Sequence, residues 1–328
     1  MINTVLKDFE SFLIKEDVPF EISVSLKKKT WIHRGGKADY FVMPQSIDAL
    51  QSVMAYLYKN SILHLLIGST SNLYILNTTN IPVVISTLKC NKYAINGEIL
   101  ECECGVQVKK MAREMISLGI EGFEYLTVLP GTVAGGICNN SSVKSEHNSL
   151  TENLIDFDIL TPDGLKTLTK KDLHLSFRTS DFKKHILKGV LLKARFKIAR
   201  GDKNVLADIA SINEKERVRL IDGPIQNLGC TVHKPFVNGK MPIRYRLLLS
   251  LYSRLLVLFV KDELKRKKAK KNCILSVSGY GRLKPYVSDR LILTFIWRDD
   301  KADEFFDDHL MFMKTVYKTD QIEIEIIK

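Results

Sequence analysis

Between Gly122 and Ser142 the chain reads GFEYLTVLPGTVAGGICNNSS, with two aromatics at its start and small residues through its middle. Gly131, Gly135 and Gly136, spaced by Thr132, Val133 and Ala134, let a backbone come close to a ligand and offer N–H groups to an anion. A phosphate cradle and a tight turn packed under a sheet both fit such a loop on its own. Upstream, a second loop of small and hydroxyl-bearing residues, Gly68-Ser69-Thr70-Ser71-Asn72, follows the apolar run HLLI and could hydrogen-bond phosphate oxygens. Arg178, in FRTSDFK, is the third candidate for chemistry. A guanidinium stays charged at any working pH, and its planar fork matches a carboxylate with two hydrogen bonds; a surface salt bridge is the alternative.

Taken together, PGTVAGGICNN and GSTSN resemble the two flavin-contacting loops of the UDP-N-acetylenolpyruvoylglucosamine reductases, FAD enzymes that make UDP-N-acetylmuramate for peptidoglycan. Further matches follow in the same order: Thr30 with Gly35-Gly36 and Ala38-Asp39, then Phe177-Arg178-Thr179-Ser180 with Phe182-Lys183, then Gly229-Cys230-Thr231 with Lys234-Pro235. The resemblance runs from about Thr30 to Lys203, thins toward Pro235 and is poor beyond it. It implies FAD held by Gly68, Ser69, Thr70, Ser71 and Asn72 on one side and by Pro130, Gly131, Thr132, Gly135, Gly136 and Asn140 on the other. It also implies NADPH as the reductant, a UDP-sugar nucleotide as the substrate, and a role in cell-wall synthesis.

The same resemblance assigns roles to three residues. Arg178 matches the arginine that polarises the enolpyruvyl carboxylate during hydride transfer from flavin N5, where neutralising developing charge is worth several kcal/mol in comparable sites. Cys230 stands at the position of the proton donor, and a thiol with pKa about 8.5 is a better acid than an alcohol. The other reading of Cys230 is a small buried hydrophobe. Glu325 matches a protonated acid on the substrate carboxylate, a role that needs a raised pKa. Period-two alternation in IEIEII puts Glu323 and Glu325 on one face, which fits a solvent-facing charge equally well. The chain also departs from the family. Thr70 and Ala134 replace glycines, Phe177 replaces a tyrosine, His33 stands where an arginine is usual with Arg34 displaced by one, and Leu291 and Leu293 replace a His and an Asn.

The elements that must position these residues can be read from their periodicity. Ser46 caps a helix with Ile47, Leu50, Val53, Met54 and Leu57 on one face. Strands are expected over residues 63–67, 81–88 and 99–104, with a linker over 89–96. A helix on Val108, Met111, Ala112, Met115 and Ile116 should stop at Gly119. A hairpin over 154–168 turns at Thr161-Pro162-Asp163-Gly164, and a strand returns over 190–198. Helices follow from Lys203 to about Ile221 and over 302–317, with strands at LILTFIW and at the terminal IEIEII. Parallel crossovers early and hairpins later argue an α+β fold. The dinucleotide fingerprint is missing, because Lys284 follows Gly279-Tyr280-Gly281 where the third glycine belongs. The resemblance implies a two-lobed FAD-binding domain of the vanillyl-alcohol oxidase type over residues 1–200, with lobes at about 1–88 and 89–200. A smaller α+β substrate domain is expected over 201–328.

Composition sets the outer limits. With 328 residues, 45% of them hydrophobic, the chain can bury a sizeable core. Charges interrupt the N-terminal apolar pattern, so no signal peptide is expected and the cytoplasm is the expected location. Six cysteines without a C-x-x-C pair read as free thiols, and no metal site is expected. The net charge of +12 favours anionic partners. Much of it lies in KDELKRKKAKK, Lys261 to Lys271, behind the apolar run LLLSLYSRLLVLFV. A buried helix with a solvated basic end is one reading, and a surface helix on anionic lipid is the other. No nucleic-acid motif accompanies it, and a monomer is expected. Within the flavoenzyme class the alternative is a divergent enzyme on another nucleotide sugar; outside it, a relative that binds FAD or a partner without turnover.

Overall fold

The helical spacing after Ser46 does form a helix over Ile47–Lys59, and the Ser46 hydroxyl accepts from the Ala49 N–H at 3.1 Å. The computed structural model describes residues 2–143, 148–222, 226–233 and 241–328. Lys234 and Pro235 lie outside these residues. In chain order the elements are α1 (Ile2–Lys15), β1 (Phe20–Ser25), β2 (Lys37–Val42), α2 (Ile47–Lys59), β3 (His64–Ile67), β4 (Leu73–Ile75), β5 (Asn80–Ser86), β6 (Tyr93–Asn96) and β7 (Ile99–Glu103). Then follow α3 (Val108–Ser117), α4 (Val133–Cys138), β8 (Leu154–Thr161), β9 (Gly164–Thr169), β10 (Val190–Lys197), α5 (Lys203–Leu220), α6 (Ile243–Phe259), α7 (Glu263–Val277), α8 (Ala302–Val316) and β11 (Glu325–Ile327). The mixture is α+β, as the element pattern implies.

The chain divides into two compact units. The first comprises Met1–Lys29, Gly35–Thr70 and Leu76–Glu214. It contains a four-stranded sheet in the order β1-β2-β5-β3, in which β2, β5 and β3 run parallel and β1 is antiparallel. Its second sheet is antiparallel, in the order β6-β7-β10-β8-β9. Val83, Val84 and Ile85 of β5 are all buried, as expected for a parallel strand covered on both faces. One continuous core joins the sheets, from Phe9, Leu50 and Val83 through Leu100 and Met111 to Phe157 and Phe196.

The second unit comprises Thr30–Arg34, Ser71–Ile75 and Lys215–Lys328. Two short early segments therefore belong with the C-terminal third. β4 pairs in parallel with β11, Leu73 opposite Glu325 and Ile75 opposite Ile327. Arg34 is buried, its Nε lies 3.2 Å from Asp303 Oδ2, and it donates to the Asp299 carbonyl. Asp303 also accepts from the Tyr74 hydroxyl at 3.0 Å and from Trp297 Nε1 at 3.2 Å. Burial, then the Asp303 charge, pushes the Tyr74 phenol up and keeps it a donor.

Several expectations are corrected. Residues 89–96 are more than a linker, because Tyr93–Asn96 pairs with β7 as an edge strand. LILTFIW forms no strand; Phe295 and Ile296 make only single bridges, to Val287 and Asn227. The terminal strand is three residues long, and a bend at Ile324 breaks the alternation, so Glu323 is buried while Glu325 is exposed. The helix after Pro242 is not buried: Leu256 is its one buried residue. Nor is the basic run solvated throughout. Lys271 is 4% exposed and spends its three protons on the Lys284 and Val287 carbonyls and on Asp289 Oδ1, at 2.8, 2.9 and 2.5 Å. Burial pulls the Lys271 ammonium below the usual lysine range; it also works against the Asp289 charge, but Lys271 still holds that carboxyl low.

His309, at the centre of the second core, was not singled out by the sequence. It is fully buried on α8, with Nε2 2.8 Å from the Thr231 hydroxyl. The single proton of that hydroxyl goes to the Leu293 carbonyl at 2.8 Å, so the hydroxyl oxygen accepts from Nε2–H. Burial pulls the imidazole pKa from 6.5 down to about 3. Between those values the unfolded chain binds the proton and the folded chain does not, so His309 costs no stability above pH 6.5 and stability falls as pH drops toward 3. His309→Gln keeps an N–H donor without the titration. In urea unfolding from pH 7 to 4 the wild type should lose stability with a slope component of up to ~1.4 kcal/mol per pH unit that the variant lacks. Identical slopes would show that His309 does not titrate across unfolding.

Candidate functional site

The two small-residue loops meet in the first unit. β3 delivers Gly68 against Thr132, so close that a Cβ on Gly68 would lie 2.5 Å from Thr132 Oγ1 and 3.1 Å from its methyl. The backbone of Gly68 thus occupies space that another residue's side chain would claim. Thr70 takes a φ of +53°, the left-handed region, at a position where the resembling family has glycine. A β-branched residue holds that conformation only under strain. Among the described residues the N–H groups of Gly68 and Ser69 donate to no backbone carbonyl.

The second loop is hung from the segment after β7. Val108 N–H donates to the Gly131 carbonyl at 3.1 Å, Val133 N–H to Val106 at 2.9 Å and Ala134 N–H to Cys104 at 3.0 Å. Thr132 then caps α4: its Oγ1 accepts from Gly135 N–H at 3.4 Å and its carbonyl from Gly136 N–H at 2.8 Å. The glycines therefore have different tasks. Gly131, at φ +116°, makes the turn after Pro130. Gly135 is exposed on the first turn of α4. Gly136 is buried and leaves room for Leu150, whose Cδ2 would lie 2.5 Å from an added Cβ. Its N–H is used inside the helix, so it shapes the loop without facing an anion.

The end of α4 fixes the Arg178 loop. Asn140 Nδ2 donates to the Ser176 carbonyl at 2.8 Å, the Ser180 hydroxyl to Cys138 at 2.5 Å, and Lys183 Nζ to Asn139 Oδ1 at 2.6 Å. Asn140 itself, at φ +40°, accepts from Thr151 at 2.6 Å and so acts as a joint between segments. Ser176 and Thr179 exchange backbone hydrogen bonds at 3.0 Å, and between them Arg178 sits half-buried at φ +55° with its Nε shielded from solvent. The backbone turn that carries Arg178 is thus held by three side-chain ties from neighbouring residues, a fixed base that a surface salt bridge does not need.

The remaining candidates lie in the second unit: Ser71, Asn72, Cys230 and Glu325. The unit boundary falls inside the first loop, between Thr70 and Ser71. Glu325 N–H donates to the Asn72 carbonyl at 2.9 Å, and Asn72 Nδ2 to the Glu323 carbonyl at 3.3 Å. Glu323 N–H donates in turn to Thr231 at 2.9 Å, so hydrogen bonds connect Asn72, Glu325 and the residue next to Cys230. Cys230 is half-buried and forms no disulfide among the described residues. Sequence reasoning did not weigh Thr231, His309 and Glu323 as parts of this site. The signal for His309 was a histidine among Phe306, Phe312, Met313 and Val316 on the buried face of an amphipathic helix.

The geometry fits FAD on the chain's own terms. A glycine backbone and a hydroxyl-rich turn stand against a capped glycine loop, with unclaimed N–H groups at Gly68 and Ser69, which suits a pyrophosphate. Comparison with known proteins points the same way. The FAD binding domain family matches residues 38–168, which include both loops. UDP-N-acetylenolpyruvoylglucosamine reductase from Caldicellulosiruptor bescii is 27% identical over 220 residues, 66% of this chain and 68% of that protein. The reductase of the same name from Carboxydothermus hydrogenoformans is 31% identical over 207 residues, 61% of this chain and 66% of that protein. In fold, the chain is similar to the crystal structure of the UDP-N-acetylenolpyruvylglucosamine reductase from Thermus caldophilus, with a TM-score of 0.68 over 95% of this chain and 100% of that one, at 14% identity.

The Gly68 contact yields a double-mutant test. Gly68→Ala places a methyl against Thr132 and should destabilise by ~1–3 kcal/mol, with a loss of flavin affinity. Thr132→Ala alone loses the cap, at a cost of about 1 kcal/mol. Because Thr132→Ala removes the two atoms nearest the new methyl, the double variant should be more stable than the sum of the single losses predicts, by at least ~0.5 kcal/mol in denaturant unfolding. Strict additivity would mean that the two loops do not press on one another.

Proposed function

We propose that this chain, a relative of the UDP-N-acetylenolpyruvoylglucosamine reductases that carries their FAD-binding domain, reduces UDP-N-acetylenolpyruvoylglucosamine to UDP-N-acetylmuramate with NADPH. The observation that carries the reading is a coincidence of match and geometry: the FAD-binding match spans 38–168, and within it the two loops meet at Gly68 and Thr132. The first unit would hold FAD through Gly68, Ser69, Thr70, Gly131, Thr132 and Gly135, with Pro130 and Asn140 shaping the loop. The C-terminal unit would receive the sugar nucleotide.

FAD held by these residues would supply the two-electron chemistry between NADPH and the enolpyruvyl double bond. Arg178 pairs with the substrate carboxylate and stabilises the negative charge that develops there as hydride adds to the double bond. The thiol of Cys230 then gives its proton to the carbon beside the carboxylate, which completes the saturation of the bond. Thr231, tied to His309 and Leu293, fixes the backbone from which that thiol projects. Glu325, exposed on β11, would be a further hydrogen-bonding partner of the substrate.

Two half-reactions test the reading. The purified protein should carry non-covalent FAD that NADPH reduces and the enolpyruvyl sugar nucleotide reoxidises, with UDP-N-acetylmuramate as the product. Arg178→Lys keeps the charge and loses the fork, so stopped-flow should show near-normal reduction and a reoxidation slowed at least tenfold, ~1.4 kcal/mol. Equal slowing of both halves would move Arg178 to the fold or the flavin, and a protein that takes up no FAD would end the proposal.

Cys230 gives opposite expectations for its two readings. As proton donor, it should tolerate Ser, while Ala costs about 10²- to 10⁴-fold in turnover with flavin and melting temperature unchanged. As a buried hydrophobe it should tolerate Ala, while Ser destabilises by roughly 1–3 kcal/mol. An Ala variant as active as wild type would remove the thiol from the reaction.

A further inference from the structure

We propose that α6 is an interfacial helix that docks the second unit onto an anionic lipid surface, a function that stands independently of the reductase reading. Ile243, Leu247, Leu251, Leu255, Leu258 and Phe259 recur at helical spacing along one side of α6 and are between 55% and 81% exposed. The opposite side, through Tyr245, Leu249 and Leu256, packs into the unit. Soluble proteins rarely leave a continuous apolar stripe of this kind open to water. Seventeen residues give a helix ~26 Å long, and no helix among the described residues is long and apolar enough to cross a membrane. The stripe therefore suits a position in the plane of the interface.

Charge selects the occupant. Residues 243–271 contain ten basic side chains and two acidic ones, +8 of the chain's +12 in 29 residues. Arg246, Lys261 and Lys265 are exposed beside or just beyond the stripe, and the exposed Arg244 and Arg254 lie within its arc. The two acids are already occupied: Asp262 caps α7 by accepting from the Lys265 N–H at 2.7 Å, and Glu263 pairs with Lys267 and Arg219. What faces outward is an apolar band edged with unneutralised positive charge. A second copy of the chain fits this face poorly, because a two-fold contact sets the same positively charged patch against itself. Anionic headgroups with acyl chains beneath satisfy both features, each nearby Lys or Arg contributing roughly a fivefold gain in partitioning.

Full-length protein would be sedimented with vesicles of phosphatidylcholine alone or mixed with phosphatidylglycerol. Binding is expected to the mixed vesicles only and to weaken with added salt. Arg254→Gln with Lys261→Gln should lower partitioning by about 25-fold, and Leu255→Glu with Phe259→Glu should abolish it. Both pairs alter exposed side chains, and unchanged melting temperature and flavin content would show that the fold is intact. The neutralised pair keeps the test standing if the glutamate pair unfolds. No binding by the wild type, equal binding to phosphatidylcholine alone, or full binding by a folded variant of either pair would overturn the proposal. So would a lipid-free dimer that the Leu255→Glu, Phe259→Glu variant dissociates, since a second copy would then cover the stripe.

Discussion

A glycine backbone pressed against a threonine side chain is the constraint on which the candidate cofactor site depends. Thr132 could not stand where it does if residue 68 carried a Cβ, and α4 would lose its cap if residue 132 lacked a hydroxyl. The contact joins the end of a parallel strand to a loop suspended from an antiparallel sheet. Both sheets share one core, so the loops inherit their spacing from packing of the whole unit and not from their own flexible backbones. A pyrophosphate site of this kind is formed before its ligand arrives, which spares the ordering cost a mobile glycine loop would carry.

The second unit is organised by a half-buried acid. Asp303 receives Arg34, Tyr74 and Trp297, and in doing so it gathers residues 30–34 and 71–75 to the C-terminal third of the chain. A buried ion pair adds little net stability once desolvation is counted, but removing one partner leaves a charge without compensation. Its value here is in register: only one arrangement gives the Arg34 guanidinium the Asp299 carbonyl and the Asp303 carboxylate together. The pairing of β4 with β11 then follows, and with it the hydrogen bonds that tie Asn72 to Glu323 and Glu325.

Much of the first unit was legible because its signals are local. The Ser46 cap, the helix on Met111 and Met115, the hairpin turn at Pro162 and the left-handed stop at Gly119 each depend on a few adjacent residues. Local signals failed where tertiary context decides. LILTFIW has strand composition, yet the Leu291 carbonyl accepts from the Thr294 N–H and its aromatics are drawn into the Trp297 and Phe306 nest, so it forms bridges and no ladder. The alternation in IEIEII failed for a similar reason, since the bend at Ile324 turns Glu323 inward. The apolar content of α6 suggested burial, but composition cannot say whether a partner for the helix exists within the chain. Asp303 was invisible because two of its partners, Arg34 and Tyr74, come from segments far away in the chain.

The substitutions at Leu291 and Leu293 acquire a physical meaning once the second core is known. Leu293 is 3% exposed among Val232, Leu275 and Phe312, where an amide side chain would need buried partners that these neighbours do not provide. What this chain takes from residue 293 is its carbonyl, which accepts both the Thr231 N–H at 2.9 Å and the Thr231 hydroxyl at 2.8 Å. The backbone beside Cys230 is therefore fixed from below by a main-chain oxygen and by His309, whatever side chain residue 293 carries. The leucines at 291 and 293 therefore leave the backbone that carries the Cys230 thiol as firmly held as before.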